Sequence, residues 1–114
     1  LLNTMAEQAN NYMANQKPYL DSQLTLIKLA SDLGFTTHQL SQVVNLNEGK
    51  NFYQWVNQYR VDDVINNLSQ RPESKILDIA LACGFSSKSS FNSVFKNLTQ
   101  MTPSQYKKFI AEAD

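Results

Sequence analysis

Apolar residues fall twice along the chain into the same helical register. Leu26, Leu29, Ala30 and Leu33 recur at i, i+3, i+4 and i+7, and so do Ile76, Ile79, Ala80 and Cys83, fifty positions later. This spacing places each set on one face of an amphipathic helix. Each set runs into Gly-Phe, Gly34-Phe35 or Gly84-Phe85, then into a capping hydroxyl, Thr36 or Ser86. A second short stripe follows: Leu40, Val43 and Val44 in the first copy, Phe91, Val94 and Phe95 in the second. Helix, glycine turn, capped start and second helix together read as a helix-turn-helix unit, present twice.

The rest of the chain frames these copies. Met5, Ala9, Tyr12 and Met13 predict an opening helix from about Leu2 to Gln16, stopped before Pro18. Thr25 is the expected cap of the helix ending at Leu33, and Thr36 that of a helix to about Asn45, with residues 47–50 as a turn. Asn51 should cap a long helix through about Ser69, broken at Arg71-Pro72-Glu73. Ser74 then caps a helix to Cys83, and Ser86 one to about Asn97. Thr102-Pro103 opens a last helix to about Ala111. No period-two alternation argues for a strand. The expected fold is all-α, with about seven helices. Two helix-turn-helix subdomains, 1–50 and 71–114, are joined by a linker helix over 51–70.

Composition narrows the function. With 114 residues, 42% of them apolar, and few Gly or Pro, the chain can bury a modest core. The single Cys83 occupies the place of Leu33 and reads as a small buried hydrophobe, which suits a reducing, cytoplasmic setting. No apolar run approaches the roughly 18 residues of a membrane span. Only one histidine is present, with no second ligand at metal spacing, and Asp62 and Asp63 diverge by about 100° around a helix. No phosphate loop or catalytic triad composition appears. An enzyme is therefore not expected, nor is a metal or cofactor. Ten basic residues balance ten acidic ones. That zero net charge weighs against a nucleic-acid ligand, which favours a basic excess, so any positive surface must come from placement.

Placement is where the two copies speak. If Leu40, Val43 and Val44 face inward, then His38, Ser41, Gln42 and Asn45 face outward. In the second copy Ser89, Asn92, Ser93 and Lys96 face outward, with Ser87 and Lys88 at the leading end. Gln, Asn, Ser, His and Lys are side chains that can bond to base edges or phosphates. No Asp or Glu lies from Thr36 to Val44 or from Ser86 to Lys96. A surface that meets phosphates should exclude acids in this way.

The segment ILDIALACGFSSKSSFNSVFK, from Ile76 to Lys96, followed by TPSQY from Thr102 to Tyr106, resembles the signature of the DNA-binding domain of AraC/XylS-type transcription regulators. LIKLASDLGFTTHQLSQVVN and NFYQWVNQYRVDDVINNL also fit, so the resemblance covers about Leu20 to Phe109. It implies seven helices, with the second helix of each unit reading the major groove of double-stranded DNA at two successive turns. A B-form duplex repeats its groove every ~34 Å, and the linker helix would set the register against that repeat.

By position, the resemblance assigns base contacts to His38, Ser41 and Gln42, and to Lys88, Ser89, Asn92 and Ser93. Phosphate contacts fall on Thr37 and Ser87, and more weakly on Lys50, Lys75 and Lys96. Family members often carry Arg where this chain has Gln42 and Ser93, which implies weak binding by the monomer. The resemblance also implies an upstream sensor or membrane-embedded part in the full-length protein, which would tether it to the inner membrane. RNA polymerase is a further expected partner, and the domain alone is expected to be monomeric. The competing class is a helical protein-interaction module with little DNA affinity, whose polar helix faces are merely solvated.

Overall fold

The computed structural model describes residues 1–113, and among them every regular element is helical. Seven α-helices run Leu2–Gln16 (α1), Leu26–Leu33 (α2), Thr37–Glu48 (α3), Phe52–Gln70 (α4), Ile76–Ala82 (α5), Lys88–Thr99 (α6) and Pro103–Ala113 (α7). A single 3₁₀ turn, Pro18–Leu20, follows α1. The chain divides into two compact units, Leu1–Asn57 and the remainder from Gln58. The boundary falls inside α4.

Local chemistry sets most of the helix starts. Thr25 accepts a hydrogen bond from the Lys28 amide at 3.1 Å. Three starts carry a reciprocal capping box, in which a Gln side chain returns to the cap's own amide. Thr36 pairs with Gln39, Asn51 with Gln54 and Thr102 with Gln105, all with bonds between 2.9 and 3.2 Å. Gly34 ends α2 at φ 75°, a left-handed conformation that a Cβ disfavours. On the exposed side of α2, Asp32 bonds to Lys28 at 2.6 Å and so raises the lysine's pKa above its ordinary value.

Four local expectations are corrected. The helix α3 continues to Glu48 and is capped by Gly49 at φ 65°, so residues 47 and 48 are helical rather than part of a turn. The cap of α6 is Ser87, whose hydroxyl accepts from the Ser90 amide at 3.1 Å, not Ser86. Lys75, not Ser74, stands at the start of α5. The Ser74 amide closes a turn on the Arg71 carbonyl at 3.1 Å, and its own carbonyl accepts from Lys107 Nζ at 3.4 Å. Finally α5 stops at Ala82, with Cys83 as its C-cap.

In the first unit α1 packs on α2 and α3, which also pack on each other. Ala6, Ala9, Met13, Leu29, Ala30, Leu40, Val43 and Val44 are buried there. In the second unit α6 packs on α5 and α7. Val61, Val64, Leu68, Ile79, Ala80, Cys83, Phe85, Phe91 and Phe95 form its core. The rings of Phe85, Phe91, Phe95 and Tyr106 follow one another at centroid spacings of 5.2, 5.5 and 5.5 Å. Cys83 is 3% exposed and receives a hydrogen bond from the Asn67 amide at 3.8 Å, in keeping with a packing role.

Candidate nucleic-acid interface

Burial of the apolar stripe on each second helix turns its opposite face to solvent. Leu40, Val43 and Val44 anchor α3, which leaves His38, Gln42 and Asn45 exposed and Ser41 half-buried. These four lie at i, i+3, i+4 and i+7, hence on one stripe. Phe91 and Phe95 anchor α6, with Val94 half-buried, and Lys88, Ser89, Asn92, Ser93 and Lys96 are exposed. Ser89, Asn92, Ser93 and Lys96 repeat the same spacing. Counted from the caps Thr36 and Ser87, His38 corresponds to Ser89, Ser41 to Asn92, Gln42 to Ser93 and Asn45 to Lys96. The shift of the second cap by one residue brings the two faces into this register.

The candidate phosphate contacts are more dispersed. Thr37 is the first residue of α3 and is exposed beside the stripe. Ser87 caps α6, and its oxygen accepts from Ser90 while its own O–H remains a donor. Lys96 extends the α6 stripe by a turn. Lys50 lies beyond the α3 cap and is half-buried, and Lys75 stands at the start of α5. These two are therefore on neither reading helix.

Electrostatically the two faces differ. The α3 stripe carries no formal charge when His38 is neutral, whereas α6 carries Lys88 and Lys96. The helix faces themselves bear no carboxylate from Thr37 to Asn47 or from Lys88 to Thr99. Sequence reasoning missed one neighbourhood. The cap of α7, Thr102, and its first residues, Pro103 and Ser104, share a cleft with Lys88, Asn92 and Lys96. Their capping signal was legible, but their position beside α6 depends on the tertiary fold of the second unit.

Among the described residues no helix is long and apolar enough to cross a membrane, and no group of His, Cys, Asp or Glu could hold a metal ion.

The geometry agrees with known proteins. Residues 20–108 match the family model described as a helix-turn-helix domain. An uncharacterised helix-turn-helix-type transcriptional regulator of Staphylococcus aureus is 36% identical over 84 residues, covering 74% of this chain and 11% of that protein. The chain thus spans about a tenth of the length of that curated relative. The C-terminal domain of AraT, a response regulator from Geobacillus stearothermophilus, superimposes with a TM-score of 0.80 at 26% identity, covering 92% of this chain and 84% of that one. A transcriptional regulator with an AraC-type DNA-binding domain from Chromobacterium violaceum shares the fold, with a TM-score of 0.83 at 23% identity over 98% and 96% of the two chains. With seven helices and two helix-turn-helix units matched over most of its length, the chain belongs to the AraC-type helix-turn-helix family, the DNA-binding domain of transcription regulators.

Proposed function

We propose that the chain binds double-stranded DNA sequence-specifically by inserting α3 and α6 into the major groove, as the DNA-reading part of a bacterial transcription regulator. The observation that carries this is the matched pair of exposed, acid-free polar stripes on the second helices of the two units. His38, Ser41 and Gln42 would read base edges from α3, and Lys88, Ser89, Asn92 and Ser93 from α6. Thr37, Ser87 and Lys96 are proposed phosphate contacts. Lys50 and Lys75 are assigned to flanking phosphates, since neither lies on a reading stripe. The division into subdomains 1–50 and 71–114 around a linker helix, 51–70, belongs to the same proposal, because α4 runs unbroken through that stretch. A sensing part elsewhere in the full protein, membrane-tethered or not, accords with the small share of its relatives that this chain spans, and RNA polymerase is proposed as a further partner.

Competition titrations of the chain against specific and random duplexes at several salt concentrations test the reading. Affinity should fall as salt rises, and replacing one phosphate-contacting lysine should lower the log–log salt slope by about 0.9. Lys96→Gln is the variant of choice. Equal, salt-independent, negligible binding to every duplex would favour the protein-interaction module.

A further inference from the structure

The second unit contains a cleft of about 550 Å³, within the range of small-molecule sites. Leu77, Phe91 and Pro103 give it an apolar lining, and Lys88, Asn92 and Lys96 come to it from α6. Phe91 and Pro103 are buried and Leu77 is half-buried, so the apolar groups lie deep, while the two exposed lysines stand at the mouth. Lys88, Asn92 and Lys96 are at i, i+4 and i+8, one above another along α6. No acidic side chain is among the lining residues. The first turn of α7 also borders the space, and the positive end of its dipole reinforces the same sign.

An apolar interior beneath two cations has a definite chemical complement. A DNA phosphate matches the cations but has nothing to place against Leu77, Phe91 and Pro103. A neutral hydrophobe leaves the lysines without a partner. We propose that the cleft binds a small amphipathic carboxylate, its apolar body inside and its carboxylate between Lys88 and Lys96. The assignment of Lys88, Asn92 and Lys96 to DNA rests on the function proposed above; given it, this ligand and the duplex compete for the same side chains. Carboxylate occupancy would then release the second reading head from DNA. Linkage requires the reverse as well, so bound duplex would expel the carboxylate.

The test titrates the ¹⁵N-labelled 114-residue chain with 4-phenylbutyrate, its neutral amide 4-phenylbutyramide, and dimethyl phosphate. Saturable shifts should appear at the amides of Leu77, Asn92 and Ser104 with the carboxylate, and at least tenfold weaker binding with the amide. Lys88→Gln and Lys96→Gln, both at exposed positions, should each weaken the carboxylate threefold or more while leaving the rest of the spectrum in place. No saturable shift at the cleft, or equal binding of carboxylate and amide, overturns the proposal. Shifts as strong with dimethyl phosphate would make the cleft a seat for the DNA backbone and overturn it too. A second measurement follows duplex binding by fluorescence anisotropy. Carboxylate at ten times its dissociation constant should weaken DNA about tenfold. Unchanged DNA affinity despite cleft occupancy overturns the competition. Absence of DNA binding without ligand would refute the DNA reading alone, because the titration needs no duplex.

Discussion

The two units build one backbone device from different interiors. Where the first unit buries Leu40 and Val44, the second buries the larger Phe91 and Phe95 at the matching positions. The added volume is answered nearby, because Leu33 of the first copy becomes Cys83 in the second, and Cys83 is the more deeply buried. Cores tolerate such exchanges when total volume and pattern are kept. The comparison teaches that the turn and the outward stripe are specified by register, and the interior only by being apolar and filled. The outer faces diverge in the opposite sense: equal in geometry, unequal in charge. Lys88 and Lys96 give α6 the cations that α3 lacks, so α6 should contribute more of the salt-dependent affinity.

Breaking an interior should have the largest effect. Phe95→Ala removes a fully buried ring from the aromatic series and should cost about 3–5 kcal/mol. Leu40→Ala in the first unit should cost about 2–5 kcal/mol by the same cavity mechanism. Amide hydrogen exchange sharpens the contrast. Protection should fall mainly in α5–α7 for the first variant and in α1–α3 for the second, and uniform loss would show that the units do not open separately.

Next in size are the residues proposed to read bases. Gln42→Ala and Asn92→Ala should each reduce discrimination at particular base pairs by about 1–3 kcal/mol, measured by competition among duplexes with single substitutions. A loss that is the same for every sequence would reassign that residue to the backbone. The pair also checks whether both heads read bases or only the charged one does.

The smallest effects belong to the caps. Thr36→Ala and Ser87→Ala each remove one side-chain cap bond, at about 0.5–2 kcal/mol, and the Gln39 bond to the Thr36 amide survives the first change. Denaturant midpoints at unchanged slope would measure both. A smaller loss at Thr36 would mean that the surviving Gln39 bond holds the start of α3 without its cap hydroxyl.

Much of this was legible along the chain because helix faces obey a short period. The limits of α1, the burial of Leu40 and Phe91 and the exposure of Gln42 and Asn92 all follow from spacing. The cap of α6 was misplaced by one position because Ser86 and Ser87 are equally competent oxygen acceptors, and only the backbone geometry distinguishes them. The continuation of α3 to Glu48 was hidden by a polar, turn-like stretch whose true stop is Gly49. Ser74 has the residue type of a cap, and no sequence rule announces a turn closed on Arg71 and held by Lys107, thirty-three residues away. The cleft bordered by α6 and α7 was out of reach for the same reason. It joins residues whose proximity exists only once the aromatic core has assembled.

The chain has one indole and one thiol, and they fall on opposite sides of the boundary within α4: Trp55 at 4% exposure in the first unit, Cys83 at 3% in the second. The molecule therefore comes with two native reporters. Fluorescence of Trp55 follows the loosening of one half, and alkylation of Cys83, which must wait for its surroundings to part, times the loosening of the other. Whether those clocks agree would reveal, with no residue substituted, if the halves melt as one body or in turn.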